Sequence, residues 1–245
     1  MSDGPSWSDI ADWYDDLLVA GSGPHETALE ALGALVPDVV GRRVVDVACG
    51  QGIASRLLAS RGAEVTAVDL SDAMIENARR HGTPSGPPVT YLVDDAETLA
   101  SLDDDSFSGA TCQLALMDIP DLDAALASVA RVIEPGGWFV FVIAHPCVLV
   151  PGAGRSETED GRPAAVISGY FDERFWRSPN PQGVRRAGNH HRMMSTYLNG
   201  LARAGFDLDV ALEPEANDLL ARQQPLYAEV PIFFAARARL RDLAV

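Results

Sequence analysis

The chain has 245 residues, 47% of them apolar and 22% charged, an ordinary balance for a globular domain. A net charge of −16 repels phosphate backbones and anionic lipid surfaces, so neither nucleic acid nor membrane is an expected partner. No apolar run approaches the roughly 18 residues of a membrane helix, and the acidic start MSDGPSWSDIADWYDD lacks the blocks of a signal peptide, so a cytoplasmic home is expected.

Two helices are predicted first, over 8–19 and 24–35. From Arg43 the chain alternates short β-branched runs with helical stretches. RVVDVA (43–48) reads as a buried strand, followed by Cys49-Gly50-Gln51-Gly52 and a helix through IASRLLASRG. AEVTAVDL (63–70) is the second strand, and Ser71 caps the helix DAMIENARRH. PVTYLV (88–93), GATCQLAL (109–116) and WFVFVIA (138–144) are the next three strands. A helix over 121–133 precedes the last of these, with Pro135-Gly136-Gly137 between them. Strands without a polar face, separated by helices, predict a parallel sheet covered on both sides.

Residues 146–189 read as one long irregular stretch, too long for an idle connection. A helix over 192–204 and strands over 206–212 and 228–237 complete the chain. The expected organisation is one α/β domain: a helical flap (1–40), a core (41–145), a cap (146–191) and a C-terminal helix with strands (192–245).

The sequence contains no lysine, which excludes Schiff-base chemistry and a P-loop. Cys49, Cys112 and Cys147 are odd in number and far apart, so a disulfide framework or zinc site is not expected, and no metal is assigned. The informative segment is VVDVACGQG (44–52), a strand ending in a glycine turn that opens a helix. Such a turn lets a ligand approach the backbone and offers it free N–H groups. Seventeen residues beyond Gly52, Asp69 ends the second strand, where a carboxylate accepts both ribose hydroxyls of a nucleoside. The third glycine of a dinucleotide turn is missing, since Ile53, Ala54 and Ser55 follow Gly52. Asp46 would face a pyrophosphate poorly, whereas it suits a ligand carrying an amino group and a sulfonium.

VVDVACGQG resembles motif I of the class I S-adenosylmethionine-dependent methyltransferases. AVDLSDAMIENAR is similar to their ribose-binding strand and following helix, and Asp94-Asp95-Ala96-Glu97 to their adenine-binding turn. DDDSFSGATCQLALMDIPDLDAALASVARVIEPGGWFVF resembles the fourth strand, fourth helix and fifth strand of the small-molecule branch. The resemblance covers residues 44–142 and extends more weakly over 190–214.

It implies a doubly wound, seven-stranded, mostly parallel sheet in the order 3-2-1-4-5-7-6, with strand seven antiparallel. The implied cofactor is S-adenosylmethionine, leaving S-adenosylhomocysteine after methyl transfer to a small molecule. Ala48, Gly50 and Gly52 would lie under the methionine moiety, with Asp46 acting on its amino group. Asp69 would hold the ribose and Leu70 would flank the adenine. Asp95 and the Ala96 N–H would read the adenine, and Leu114 and Ala115 would border the methionine. Tyr14 stands where the family often places a tyrosine on its flap.

Histidine is the natural base near neutral pH. His145 follows the fifth strand, and His191, with Arg192, aligns with a frequent His-Arg pair, so His191 and His145 are the catalytic candidates. His25 and His81 are expected at the surface. Between Cys147 and Arg192 stand seven arginines against five acids, a local balance of +2 beside −18 for the rest. Tyr170, Phe171, Phe175 and Trp176 are interleaved with them. Tyr170, Trp176, His190 and Arg192 are the substrate-binding candidates, for an aromatic or carboxylate-bearing acceptor. A nicotinamide-dependent oxidoreductase and a cofactor-binding sensor or noncatalytic subunit are the alternatives. The sequence leaves the oligomeric state open.

Overall fold

A computed structural model describes residues 4–242. After a short 3-10 turn, Ser8–Ile10, come α1 (Ala11–Val19) and α2 (Gly23–Leu35). The alternating core follows as β1 (Arg43–Val47), α3 (Ile53–Ser60), β2 (Glu64–Asp69), α4 (Asp72–His81), β3 (Thr90–Val93), β4 (Phe107–Gln113), α5 (Leu122–Val132) and β5 (Ile133–Ala144). The cap holds β6 (Gly154–Glu157), β7 (Pro163–Val166), β8 (Arg174–Trp176) and β9 (Asn189–His191). The chain closes with α6 (Met194–Arg203), β10 (Phe206–Leu212), α7 (Asp218–Gln223) and β11 (Phe233–Leu240).

Seven strands form one sheet in the order β10-β11-β5-β4-β1-β2-β3. β11 is antiparallel to both β5 and β10, and the remaining pairs are parallel. This is the order and polarity the resemblance implied. Side chains alternate faces along each strand. Phe139, Phe141 and Ile143 of β5 enter a core with Leu126 and Val129 of α5 and Leu201 of α6. Trp138, Val140 and Val142 enter a second core with Leu32 of α2, Leu58 of α3 and Leu220 of α7. Burial on both faces explains why these strands carry no polar face. Ser71 and Asp121 cap α4 and α5 by accepting from Met74 N (3.2 Å) and Ala124 N (3.0 Å).

The elements differ from expectation in places that matter. The fourth strand stops at Gln113, not 116: Leu114 turns into the left-handed region (φ 56°), and the chain leaves the sheet there. The fifth strand begins at Ile133, because Pro135-Gly136-Gly137 forms a bulge against β4 in place of a break. The last strand is shifted to 233–240, since Pro231 lacks the N–H a ladder needs, and a 3-10 turn (Pro225–Ala228) stands where the strand was expected to start. Its outward arginines, Arg237 and Arg239, pair with Asp209 at 2.7 and 3.3 Å.

The cap is not irregular throughout. β6 pairs with β7, and β8 with β9. These strands are short and lack the apolar alternation that marks a strand in sequence.

Candidate active site

The C-terminal ends of the parallel strands open into a cavity of about 400 Å³. This is where open α/β sheets place their ligands. The glycine turn after β1 forms its floor. Ala48 is left-handed (φ 52°), as are Gly50 (φ 55°) and Gly52 (φ 80°). A Cβ added at Gly50 would stand in open space, so this position leaves the backbone accessible from the cavity. Gly52 does not line the cavity. A Cβ there would meet the Tyr91 hydroxyl at 2.6 Å, so its demand for glycine comes from close packing.

Asp46 is 1% exposed and is held by Ser55 Oγ at 2.5 Å and Thr111 Oγ1 at 2.7 Å. Burial pushes its carboxyl up to about 6, against the pull of those two donors. Ser55 occupies the position of the missing third glycine. A dinucleotide turn keeps that position bare for helix–strand packing, whereas here it carries the hydroxyl that holds Asp46.

Asp69 ends β2 and binds the turn across the gap. Its Oδ2 accepts from Gly50 N at 2.8 Å and its Oδ1 from Ser71 N at 2.9 Å. Burial raises its pKa and the two N–H donors lower it, with a net upward shift. Each oxygen keeps a free lone pair, which suits two ribose hydroxyls. Asp95 and Ala96 lie on the cavity wall, with Asp95 Oδ1 accepting from Glu97 N at 2.9 Å. Leu70, 70% exposed, stands at the rim. Leu114 and Ala115 close the far side at the end of β4.

The flap supplies the opposite wall. Tyr14 of α1 shares a hydrogen bond with His25 Nε2 at 2.9 Å, and His25 Nδ1 shares one with Ser22 Oγ at 2.7 Å. Trp7 packs edge-on against Tyr14, with ring centroids 5.4 Å apart. Contrary to expectation, His25 is buried, 8% exposed, and its desolvated ring is lowered to about 4. His81 is half-buried and pairs with Asp15 at 2.7 Å, tying α1 to α4. The Tyr14 hydroxyl is pushed up by burial and by the charges of Asp118 and Asp69.

The expected catalytic histidines stand elsewhere. Neither His191 nor His145 lines the cavity. His191 is buried, and its Nε2 is bound to the Tyr170 carbonyl at 2.9 Å. His145 is bound through Nε2 to Glu213 at 2.9 Å, and its Nδ1 accepts from Cys147 N at 3.2 Å. Both rings therefore already have partners away from the site. Among the substrate-binding candidates, Tyr170 accepts from Met194 N at 3.0 Å through its hydroxyl, and Trp176 is half-buried with Arg185 over its ring at 6.0 Å. His190 packs at a tilt against Phe175, with ring centroids 5.1 Å apart, and donates its backbone N–H to Met117 O. Arg192 donates to the carbonyls of Leu116 (3.0 Å), Ile119 and Pro120 (2.7 Å each). These four residues shape the cap and the loop after β4 from behind.

The cap reaches the cavity through Phe175, Arg177 and Ala187, and the loop after β4 through Asp118, Ile119 and Pro120. Sequence reasoning missed Asp118 and His25. Asp118 follows a strand that the sequence pattern extends three residues too far, and His25 meets Tyr14 only because two helices pack together.

The cavity suits the implied cofactor. Asp46 and Asp69 line it with acidic groups whose charge the cofactor's sulfonium and ammonium would balance, and the Gly50 position is open. Among the described residues no cluster of His, Cys, Asp and Glu could hold a metal, and no helix is long and apolar enough to cross a membrane.

Comparison with known proteins agrees. A family model described as a methyltransferase domain matches residues 45–141. The crystal structure of an S-adenosylmethionine-dependent methyltransferase from Mesorhizobium loti superposes with a TM-score of 0.74 at 32% identity, covering 90% of this chain and 99% of that one. The ubiquinone biosynthesis O-methyltransferase of Proteus mirabilis is 33% identical over 159 residues, 59% of this chain and 64% of the relative. That of Xanthomonas oryzae is 42% identical over 100 residues, 41% of this chain and 42% of the relative. The chain thus spans less than two thirds of these curated relatives. The fold and site define a class I nucleoside-binding α/β protein. The chain belongs to the S-adenosylmethionine-dependent methyltransferase family, and S-adenosylmethionine is its cofactor.

Proposed function

We propose that this chain transfers the methyl group of S-adenosylmethionine to a small molecule held between flap and cap. The observation that carries this reading is the single cavity in which the Asp69–Gly50 turn, Tyr14 of the flap and Phe175 of the cap face one another. Walls on three sides favour a small acceptor over a polymer. When bound, the cofactor supplies a methyl group on a positively charged sulfur.

In this reading Asp69 holds the ribose, Asp95 and the Ala96 N–H read the adenine, and Leu70 flanks it. Asp46, Ala48 and Gly50 border the methionine end, together with Leu114, Ala115 and Tyr14. Gly52 supports them by letting Tyr91 pack close. His191, His145, His190, Tyr170, Trp176 and Arg192 position the walls and do not touch the ligands. Catalysis rests on alignment of acceptor, methyl and sulfur, with water excluded by flap and cap. We infer a cytoplasmic home from the acidic charge and the unpaired cysteines.

The names of the curated relatives favour oxygen as the methylated atom. Arg177 brings a positive charge to the cavity wall while its Nη1 donates to the Pro5 and Arg186 carbonyls, and that charge favours an acceptor that also carries an anionic group. The test is transfer of isotope-labelled methyl to paired acceptors such as 4-hydroxybenzoate and its methyl ester. Label on the hydroxyl, with the free acid preferred, supports both parts. Equal use of the two removes the anionic group. No label on any of a broad set of small hydroxyl and amine acceptors removes methyl transfer itself.

A further inference from the structure

The loop after β4 carries a carboxyl group that the cofactor reading leaves unused. Asp118 lines the cavity three residues beyond the apolar wall of Leu114 and Ala115. Among the described residues no hydrogen bond acts on its carboxylate, which Arg185, Asp69 and Arg192 reach by charge alone. Yet its position is strongly fixed. Its backbone N–H donates to Ala115 O at 2.7 Å, His190 N holds Met117 O, and the Arg192 fork holds Leu116, Ile119 and Pro120. A rigid loop that presents a carboxyl without a hydrogen-bond partner to a cavity is built for a ligand that donates.

The groups around it say which ligand. Asp118 acts by charge on the Tyr14 hydroxyl, and Asp69, Arg185 and Arg192 lie near enough for their charges to act on Asp118. Burial and Asp69 raise its pKa well above the carboxylate range, against the two arginines. A carboxylate of raised basicity is a better match for a proton on an aromatic hydroxyl than an ordinary one. Trp7 and Tyr14 of the flap and Phe175 of the cap supply aromatic faces and edges to the same cavity.

We propose that Asp118 is the catalytic base of this enzyme and that its acceptor is a small aromatic molecule bearing a hydroxyl group, which donates to the Asp118 carboxylate. The proposal rests on the methyl-transfer reading. The hydroxyl oxygen's lone pair forms the new bond to the methyl carbon, and the electrons of the carbon–sulfur bond stay on sulfur. The hydroxyl proton goes to Asp118 and leaves to solvent with the products.

The test needs no turnover. S-adenosylhomocysteine is titrated first into the wild type, Asp118→Asn and Asp118→Ala. At saturation, 4-nitrophenol and 4-nitroanisole are then titrated by absorbance and saturation-transfer NMR. All three proteins are expected to bind S-adenosylhomocysteine within about threefold of one another. The wild type should prefer the phenol by about tenfold or more, the effect of one hydrogen bond to a charged group. Asp118→Ala should lose that preference. Bound 4-nitrophenol should ionise at a lower pH in Asp118→Asn than in the wild type, because the neighbouring negative charge is gone.

A preference that survives in Asp118→Ala, or no binding of the phenol to the wild type, would overturn the proposal. So would S-adenosylhomocysteine affinity lost only in the variants, which would move Asp118 to the cofactor side. Failure of the wild type to bind S-adenosylhomocysteine would be seen in the first titration and would count against the methyl-transfer reading instead.

Discussion

Asp69 Oδ2 accepts the Gly50 N–H at 2.8 Å, so the end of the second strand and the turn after the first form one unit. The same carboxylate holds Ser71 N at 2.9 Å and still has capacity for two hydroxyls. Asp69→Ala removes both the ligand contacts and the tie to the turn. Its affinity for S-adenosylhomocysteine should fall by about a hundredfold or more, as expected for two hydrogen bonds to a charged group. Calorimetric titration checks this, and a loss under threefold would place the ribose elsewhere.

Gly50 and Gly52 should separate in their effects. Both have positive φ, so alanine strains either one. The Cβ of Gly50→Ala would enter the cavity, and that of Gly52→Ala would collide with Tyr91. Gly50→Ala should weaken S-adenosylhomocysteine binding more than it lowers the melting temperature. Gly52→Ala should do the reverse. Thermal melts with and without ligand distinguish the two.

His25 makes the flap sensitive to acid. Its ring is lowered from 6.5 to about 4, so the folded state resists a proton that the unfolded chain accepts. Stability is therefore full above about pH 6.5 and is lost as the pH falls toward 4, by about 3 kcal/mol in all. His25→Gln removes this contribution. Urea unfolding at pH 7 and pH 4.5 should show a smaller drop in the variant than in the wild type. Equal drops would mean that the ring is not buried in solution.

Arg192 has three carbonyl partners and is 8% exposed. Arg192→Ala leaves those carbonyls unpaired and frees the loop that carries Asp118. A loss of about 3 kcal/mol or more in unfolding free energy is expected. Arg192→Lys should recover little, because an ammonium cannot reproduce the planar fork. S-adenosylhomocysteine affinity should change far less than in Asp69→Ala. An unfolding loss under about 1 kcal/mol would show that the loop holds without the fork.

The sheet was legible because each central strand is apolar on both faces and each connecting helix carries its own cap or glycine. Ser71 and Gly50 are local signals, readable one residue at a time. Asp69 was placed by its spacing from the glycine turn. The cap hairpins were not legible, because β6 to β9 are exposed strands of three or four residues without alternation. The Tyr14–His25 pair and the three carbonyls on Arg192 are long-range packing events with no trace in local pattern. His145 and His191 match a catalytic base by residue type and position, yet Glu213 and the Tyr170 carbonyl bind their rings. Only tertiary structure separates a free histidine from a satisfied one.

The central claim is that the cavity at the strand ends binds S-adenosylmethionine. The most direct measurement is calorimetric titration of the wild-type protein with S-adenosylmethionine, S-adenosylhomocysteine and NAD. The account predicts about micromolar binding of the first two, and none of NAD, since Ser55 stands where a dinucleotide turn keeps its third glycine and Asp46 would face a pyrophosphate poorly. Binding of NAD, or of neither sulfur nucleoside, would contradict it.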